Sequence, residues 1–264
     1  MDAVNVTDNH LAIVRMSSMA TSSLLIQMGL EPIMQMVTRD RNRIAIQSDI
    51  LGATALGIRN LLCLTGDHQS LGSQPDSKNV YDVDSLQLID CVRTMREAGT
   101  LLGGEEEIGG EISVFIGGAA NPFGDPFEFR VTRLGKKINA GVDFIQTQPI
   151  YDMSRFKEWM EMVRDRGFHE KVYMIAGVMP LGSAEIGEYI NKSIPGVTVP
   201  EKLIDRVAKA QEPGEEGIKI CVEQIEELKE IDGIHGIHIM TLEWEHKVSQ
   251  ITDMAGLLPR PVVS

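Results

Sequence analysis

The sequence predicts an α/β fold, a TIM-type (β/α)8 barrel with seven strands visible in the chain. Three observations predict it. Short apolar runs ending in polar residues recur, each is followed by a segment of helical periodicity, and 264 residues suit one such barrel as a single domain. The runs occupy residues 3–8, 32–40, 61–68, 113–121, 144–151, 172–180 and 236–244. In parallel sheets joined by crossover helices, the loops after the carboxyl ends of the strands carry the chemistry. Function is therefore expected at the polar tips of these runs.

Alternation supports each strand in order. Val4 and Val6 point one way, Asn5 and Thr7 the other. In the third run Leu62 and Leu64 face the helical shell, whereas Cys63, Thr65 and Asp67 face inward. In the fifth, Gln146 and Gln148 share a face opposite Ile145 and Thr147. Polar side chains inside a barrel cost free energy unless partnered. Several strands placing them at one level imply a site.

The helices follow the i, i+3, i+4, i+7 rule, clearest in Phe156, Trp159, Met160 and Val163 and in Ile218, Cys221, Val222 and Ile225. Asp40 and Asp152 are expected amino-terminal caps, and Gly99 and Gly167 helix stops. A loop at 69–79 is placed to cover a ligand, 100–111 reads as a solvated excursion, and 200–210 as a short extra helix. An eight-stranded barrel needs one more strand than is found. The expectation is a single (β/α) barrel domain over 1–264 whose opening βα unit is absent from this sequence.

Bulk properties narrow the class. Hydrophobic content is 43% and mean hydropathy −0.05. No apolar stretch approaches the roughly 20 residues of a membrane span, and Met1-Asp2 opens no secretory signal. Cys63, Cys91 and Cys221 match no metal spacing, so no metal is expected; they read as small buried hydrophobes of a reduced cytoplasm. A net charge of −13 without any basic stripe argues against a nucleic-acid partner.

At motif level the chain resembles the methylenetetrahydrofolate reductase family, particularly its bacterial forms. The resemblance runs through residues 2–9, Arg39-Asp40-Arg41-Asn42 with Gln47-Ser48-Asp49, Leu64-Thr65-Gly66-Asp67-His68 and Tyr81-Asp82-Val83-Asp84-Ser85. It continues through Ala119-Ala120-Asn121-Pro122, Thr147-Gln148 and His238-Ile239-Met240 with Trp244. It implies flavin-dependent reduction of 5,10-methylenetetrahydrofolate to 5-methyltetrahydrofolate by a cytoplasmic enzyme of one-carbon metabolism. The implied flavin contacts are Thr7, Asn9, Gln35, Thr65, Gly66, Asp67, His68, Tyr81, Asp82, Asn121 and Lys137. Asp67 and Gln148 are implied as the catalytic pair, holding the pterin ring, with Trp244 as a further substrate contact. A carboxylate can accept from the pterin amino group and ring N–H together, and a primary amide matches the rest of that edge. Asp67 has a helix cap as its alternative, Gln148 a core amide, and Lys137 a surface lysine. Gly66 would let the backbone approach a flat ring.

Departures from the family pattern accompany the match. Thr65 stands where some relatives have arginine, and Asn121 where some have tyrosine, which leaves FAD and FMN both open as the cofactor. Trp244 stands where some have arginine. The family's general acid lies on a strand with no counterpart here, so the sequence is expected to begin late. NADH or NADPH is the expected electron donor, an iron–sulfur donor subunit the alternative, and a homo-oligomer the family expectation. Two rivals remain on sequence alone: a non-catalytic flavin- or folate-binding subunit, and a barrel methyltransferase that binds methyltetrahydrofolate.

Overall fold

The computed structural model describes residues 2–194, 196–241 and 244–259. The strands are β1 (Val4–Val6), β2 (Pro32–Val37), β3 (Asn60–Leu64), β4 (Phe115–Ala120), β5 (Phe144–Pro149), β6 (Tyr173–Val178) and β7 (Gly236–Ile239). The helices are α1 (Ser18–Gln27), α2 (Arg43–Ala55), α3 (Ser85–Glu97), α4 (Phe127–Ala140), α5 (Met153–Asp165), α6 (Ala184–Ser193), α7 (Glu201–Ala208), α8 (Pro213–Lys229) and α9 (Val248–Met254). The strands form one seven-stranded sheet in sequential order. Pairing is parallel in the β1–β2, β2–β3, β3–β4 and β6–β7 registers, with Val6 opposite Met34, Cys63 opposite Gly118 and Val178 opposite Ile239. Sequential parallel strands with intervening helices are the expected TIM-type (β/α) arrangement, here with seven strands.

Six of the seven predicted runs contain their strand whole, β3 starts one residue early at Asn60, and each strand ends before its run does. In the last run the strand ends at Ile239, and residues 242–243 lie outside those described. The extra helix expected at 200–210 is α7. The excursion at 100–111 is a tight antiparallel turn: Thr100 bridges Glu107, and the Leu102 N–H donates to Gln47 Oε1. No helix among the described residues is long and apolar enough to cross a membrane.

The chain divides into two compact units. The first comprises residues up to Ala119 together with Lys136–Phe144. Its core includes Met34, Met36, Leu61, Cys63 and Ile116 of β2, β3 and β4, all buried. Phe144 stacks on Phe115 at 5.3 Å, and a Cβ on Gly117 would lie 2.2 Å from the Phe144 ring. Bulk on β5 thus dictates a glycine on β4. Asn42, not Asp40, caps α2: its Oδ1 accepts from the Ile44 and Ala45 N–H groups, while Asp40 pairs with Arg39. Both are good cap residues, and the neighbouring guanidinium claims the first of them.

The second unit comprises Ala120–Gly135 and the chain from Ile145 onward. Phe156, Trp159, Met160 and Val163 are fully buried, as the periodicity of α5 predicts. Asp152 caps that helix by accepting from the Arg155 N–H. Gly99 and Gly167 follow α3 and α5 with left-handed φ of 66° and 62°, as their expected role as helix stops requires. A second cluster joins Tyr151, Met179, Leu181, Ile190, Val197, Val199, Val207 and Ile220, packing the strand tips against α6, α7 and α8.

Candidate functional site

In the first unit the segments after β1, β2 and β3 are tied into one knot. Arg39, almost wholly buried, follows β2. Its Nε and Nη2 fork onto Asp40 at 2.7 and 2.6 Å, its Nη1 donates to the Asp67 carbonyl at 3.1 Å, and its Nη2 reaches the Asn9 carbonyl at 3.3 Å. The Arg39 N–H donates to the Thr65 carbonyl, and its carbonyl accepts from Val80. One residue thereby braces three loops.

Asp67 lies inside this knot, half-buried. Its Oδ2 accepts from the Leu11 N–H at 3.1 Å, whereas Oδ1 has no hydrogen bond among the described residues. It caps no helix; His68 caps the turn that follows, its ring nitrogen 2.9 Å from Ser70 Oγ. The Tyr81 hydroxyl donates to the Asp67 carbonyl at 3.3 Å. Burial raises the pKa of this phenol despite the opposing charge of Arg39. Asn9, Leu11, Ala12 and Tyr81 all adopt left-handed φ, between 43° and 55°. Such strain in non-glycine residues, concentrated at loop tips, is characteristic of functional sites.

The other predicted flavin contacts in this unit have the following settings. Thr7 is exposed just beyond β1. Gln35, half-buried on β2, uses its carbonyl to accept from Ser18 Oγ. Thr65 Oγ1 accepts from the Ser85 N–H and so anchors α3. Gly66 has φ of 89°, and a Cβ there would lie 3.0 Å from Val37 Cβ. The positive φ and this close packing against β2 together favour glycine before any ring is invoked. Lys137 is buried rather than on the surface, and its Nζ donates to the Ala119 carbonyl at the end of β4.

Asp82 is committed to an ion pair. Arg43 Nε and Nη2 reach its two carboxylate oxygens at 2.8 and 3.0 Å, and the Arg43 N–H adds a third bond. The arginine holds the Asp82 carboxyl at a pKa of about 2. A carboxylate held below its unfolded pKa favours the folded state above that unfolded value, and the contribution fades as pH falls toward 2. We expect Asp82 to titrate near pH 2 by carbon-detected NMR and Arg43→Gln to move its midpoint back toward 3.8, the ordinary carboxylate value. An unchanged midpoint in the variant would remove Arg43 as the cause.

In the second unit Asn121, Phe123, Gly124, Asp125, Arg130, Gly196 and Thr198 line a cavity of about 380 Å³. Asn121 Oδ1 accepts from the Phe123 and Gly124 N–H groups, which leaves its Nδ2 toward Gly196, where a Cβ would come within 2.0 Å. The Arg130 Nε is buried without a hydrogen-bond partner among the described residues. The wall thus carries donors of Asn121 and Arg130 beside the carboxylate of Asp125. Gln148 is exposed at the end of β5 rather than a satisfied core amide, and no hydrogen bond among the described residues engages its side-chain amide. The Trp244 indole packs on Gly182 and Gly214.

Two features escaped the sequence reading. Asp8, with its side chain fully buried, accepts from Arg41 Nη1 at 2.6 Å and from the Val37 N–H at 2.9 Å, while Arg41 also pairs with Asp49. Buried Arg39 is the other. The signal available was the run Arg39-Asp40-Arg41 at the polar tip after β2, where three adjacent charges need partners.

The family model described as Methylenetetrahydrofolate reductase matches residues 1–256. A Caenorhabditis elegans protein, "Probable methylenetetrahydrofolate reductase (NADPH)", is 24% identical over 252 residues, which is 92% of this chain and 35% of that protein. The Schizosaccharomyces pombe protein "Methylenetetrahydrofolate reductase 1" is 24% identical over 81% of this chain and 34% of its own length. The chain thus spans about a third of these curated relatives. A solved structure, described as an uncharacterized protein from Clostridium thermocellum that binds two copies of 5-methyl-5,6,7,8-tetrahydrofolic acid, superposes with a TM-score of 0.65 at 14% identity. The match covers 97% of this chain and 82% of that one, and it shows a shared fold.

Proposed function

The chain belongs to the methylenetetrahydrofolate reductase family, and on that premise we propose that it reduces 5,10-methylenetetrahydrofolate to 5-methyltetrahydrofolate with a bound flavin. The observation that carries the reading is the state of Asp67. It is a braced carboxylate with one oxygen committed to the Leu11 N–H and the other uncommitted among the described residues. A pterin edge presents an amino group and a ring N–H, both donors, to such an acceptor. In this proposal Gln148 contributes its exposed amide to the remaining pterin edge, and Trp244 is a further substrate contact.

The residues fit a flavin. Gln69 Oε1 and Asn79 Oδ1, at the two ends of the loop after Asp67, are buried acceptors without partners among the described residues, and a flavin's ring and ribityl chain offer donors. Asn121, whose Oδ1 is engaged by the Phe123 and Gly124 N–H groups, is a further proposed contact. Lys137 supplies a point charge near the end of β4. Thr7, Asn9, Gln35, Thr65, Gly66, His68, Tyr81 and Asp82 complete the proposed contacts.

A bound flavin supplies the hydride chemistry, taking electrons from a reductant and giving them to the folate. The protein's own part is electrostatic and positional. Asp67 fixes the pterin by accepting its donors, and its charge disfavours a negative ring nearby. Arg39 and Tyr81 hold the Asp67 backbone in place. A nicotinamide is the proposed reductant, in keeping with the name of the C. elegans relative.

The first test is the visible spectrum of the purified full-length protein. The reading expects flavin absorbance that bleaches anaerobically with NADH or NADPH. A colourless protein that neither retains nor takes up FAD or FMN would refute it and favour the methyltransferase.

A further inference from the structure

The Arg39 guanidinium is a buried cation with no place in the sequence-based site, yet it touches every loop that meets Asp67. Four of its N–H groups are used: two fork onto Asp40, one goes to the Asp67 carbonyl and one to the Asn9 carbonyl. The Asn9 segment leads directly to Leu11, whose N–H occupies Asp67 Oδ2. The guanidinium therefore reaches Asp67 twice, through its carbonyl and through the loop that engages its carboxylate. Leu11 and Ala12 have φ of 53° and 55°, a conformation that bulky L-residues keep only when the surroundings over-determine it. The Leu11 N–H bond to Asp67, the Arg39 bond to the Asn9 carbonyl and the Ser73 N–H bond to the Ala12 carbonyl hold the segment there.

We propose that Arg39, locked by its fork on Asp40, is the positioning residue that sets where the Asp67 carboxylate stands and which of its oxygens is left for the substrate. The claim rests on the functional reading above, because it assigns substrate recognition to Asp67. A planar guanidinium is required. Lysine carries the charge, but one ammonium cannot make a two-point fork on Asp40 while also holding two carbonyls on other loops. The exposure of Asp40 fits this role, since its carboxylate needs to anchor the guanidinium rather than meet the ligand.

A double-mutant cycle on the full-length holoprotein tests the proposal, using wild type, Arg39→Lys, Asp67→Asn and the double variant. The readouts are anaerobic flavin reoxidation by methylenetetrahydrofolate and the thermal midpoint. Arg39→Lys is expected to slow reoxidation by about 10–100-fold in wild type, the scale of a misplaced catalytic constellation. In the Asp67→Asn background it should slow it less than about twofold, because contacts in one network are not additive. The thermal midpoint should fall equally in both backgrounds. Equal slowing in both backgrounds would overturn the proposal and leave Arg39 a structural residue.

If Arg39→Lys does not fold, Asp40→Asn takes its place in the cycle, because it loosens the fork and leaves the guanidinium in place. A wild type that is not reoxidised counts against the functional reading and not against the positioning role. In that event hydrogen exchange of the Leu11 amide decides. Loss of the fork should speed it at least about tenfold, while the Gly177 amide, bonded to Thr147 Oγ1, keeps its wild-type rate. An unchanged Leu11 rate would refute the positioning role independently of activity.

Discussion

Asp67→Asn is expected to slow the methylenetetrahydrofolate half-reaction by about 10–100-fold while affecting reduction by nicotinamide far less. The asymmetry follows from what the carboxylate does in each step. One oxygen accepts from Leu11 and helps hold its loop, a bond that an asparagine carbonyl preserves. The other oxygen would become an NH2, which sets a donor against the pterin's donors. Hydrogen bonds to charged groups contribute about 1.5–3 kcal/mol, which converts to the stated range. Loss of the negative charge should also make the flavin easier to reduce, so its midpoint potential should rise. Stopped-flow measurement of both half-reactions checks the claim. Equal slowing of the two would indicate general damage and remove Asp67 from substrate recognition.

The second large effect is on stability. Asp8→Ala is expected to destabilise the fold by about 3–5 kcal/mol, the usual consequence of deleting one partner of a buried ion pair. The Asp8 side chain is fully buried, and its removal takes the buried partner from Arg41 and the acceptor from the Val37 N–H. Arg41 retains Asp49 at 2.9 Å, a more exposed partner, which favours the lower end of that range. Asp8→Asn keeps an acceptor for Val37 and should cost less than the alanine. Chemical denaturation with linear extrapolation measures both. A loss below about 1 kcal/mol for Asp8→Ala would mean that the pair behaves like an exposed one.

The legible parts of the molecule are those encoded by periodicity. The buried face of α5 follows from Phe156, Trp159, Met160 and Val163, and every strand but β3, which starts one residue early at Asn60, begins within its apolar run. For Asp67 the helix-cap alternative falls away, because its carboxylate accepts from the Leu11 N–H of a distant loop. What escaped is set by partners distant in sequence. Asp8 and Arg41 are 33 residues apart, and no local pattern couples them. Arg39 reads as a surface charge until the carbonyls of Asn9 and Asp67 converge on it. The same convergence explains the cap, because Asp40 is drawn to Arg39 and Asn42 starts α2. The left-handed Leu11 and Ala12 carry no local signal, since neither residue favours that conformation. The left-handed φ of Gly66 and its close approach to Val37 favour glycine there whether or not a ring lies beside it.

The central proposal is that braced Asp67 offers a folate the oxygen that has no hydrogen bond among the described residues, beside a bound flavin that would supply hydride. Anaerobic single-turnover spectroscopy tests it most directly, with the flavin first reduced stoichiometrically and then mixed with methylenetetrahydrofolate. The claim predicts return of oxidised flavin absorbance with one equivalent of 5-methyltetrahydrofolate formed per flavin. Flavin that stays reduced through the mixing, in protein that otherwise binds it normally, would contradict the claim and identify a non-catalytic flavin-binding subunit.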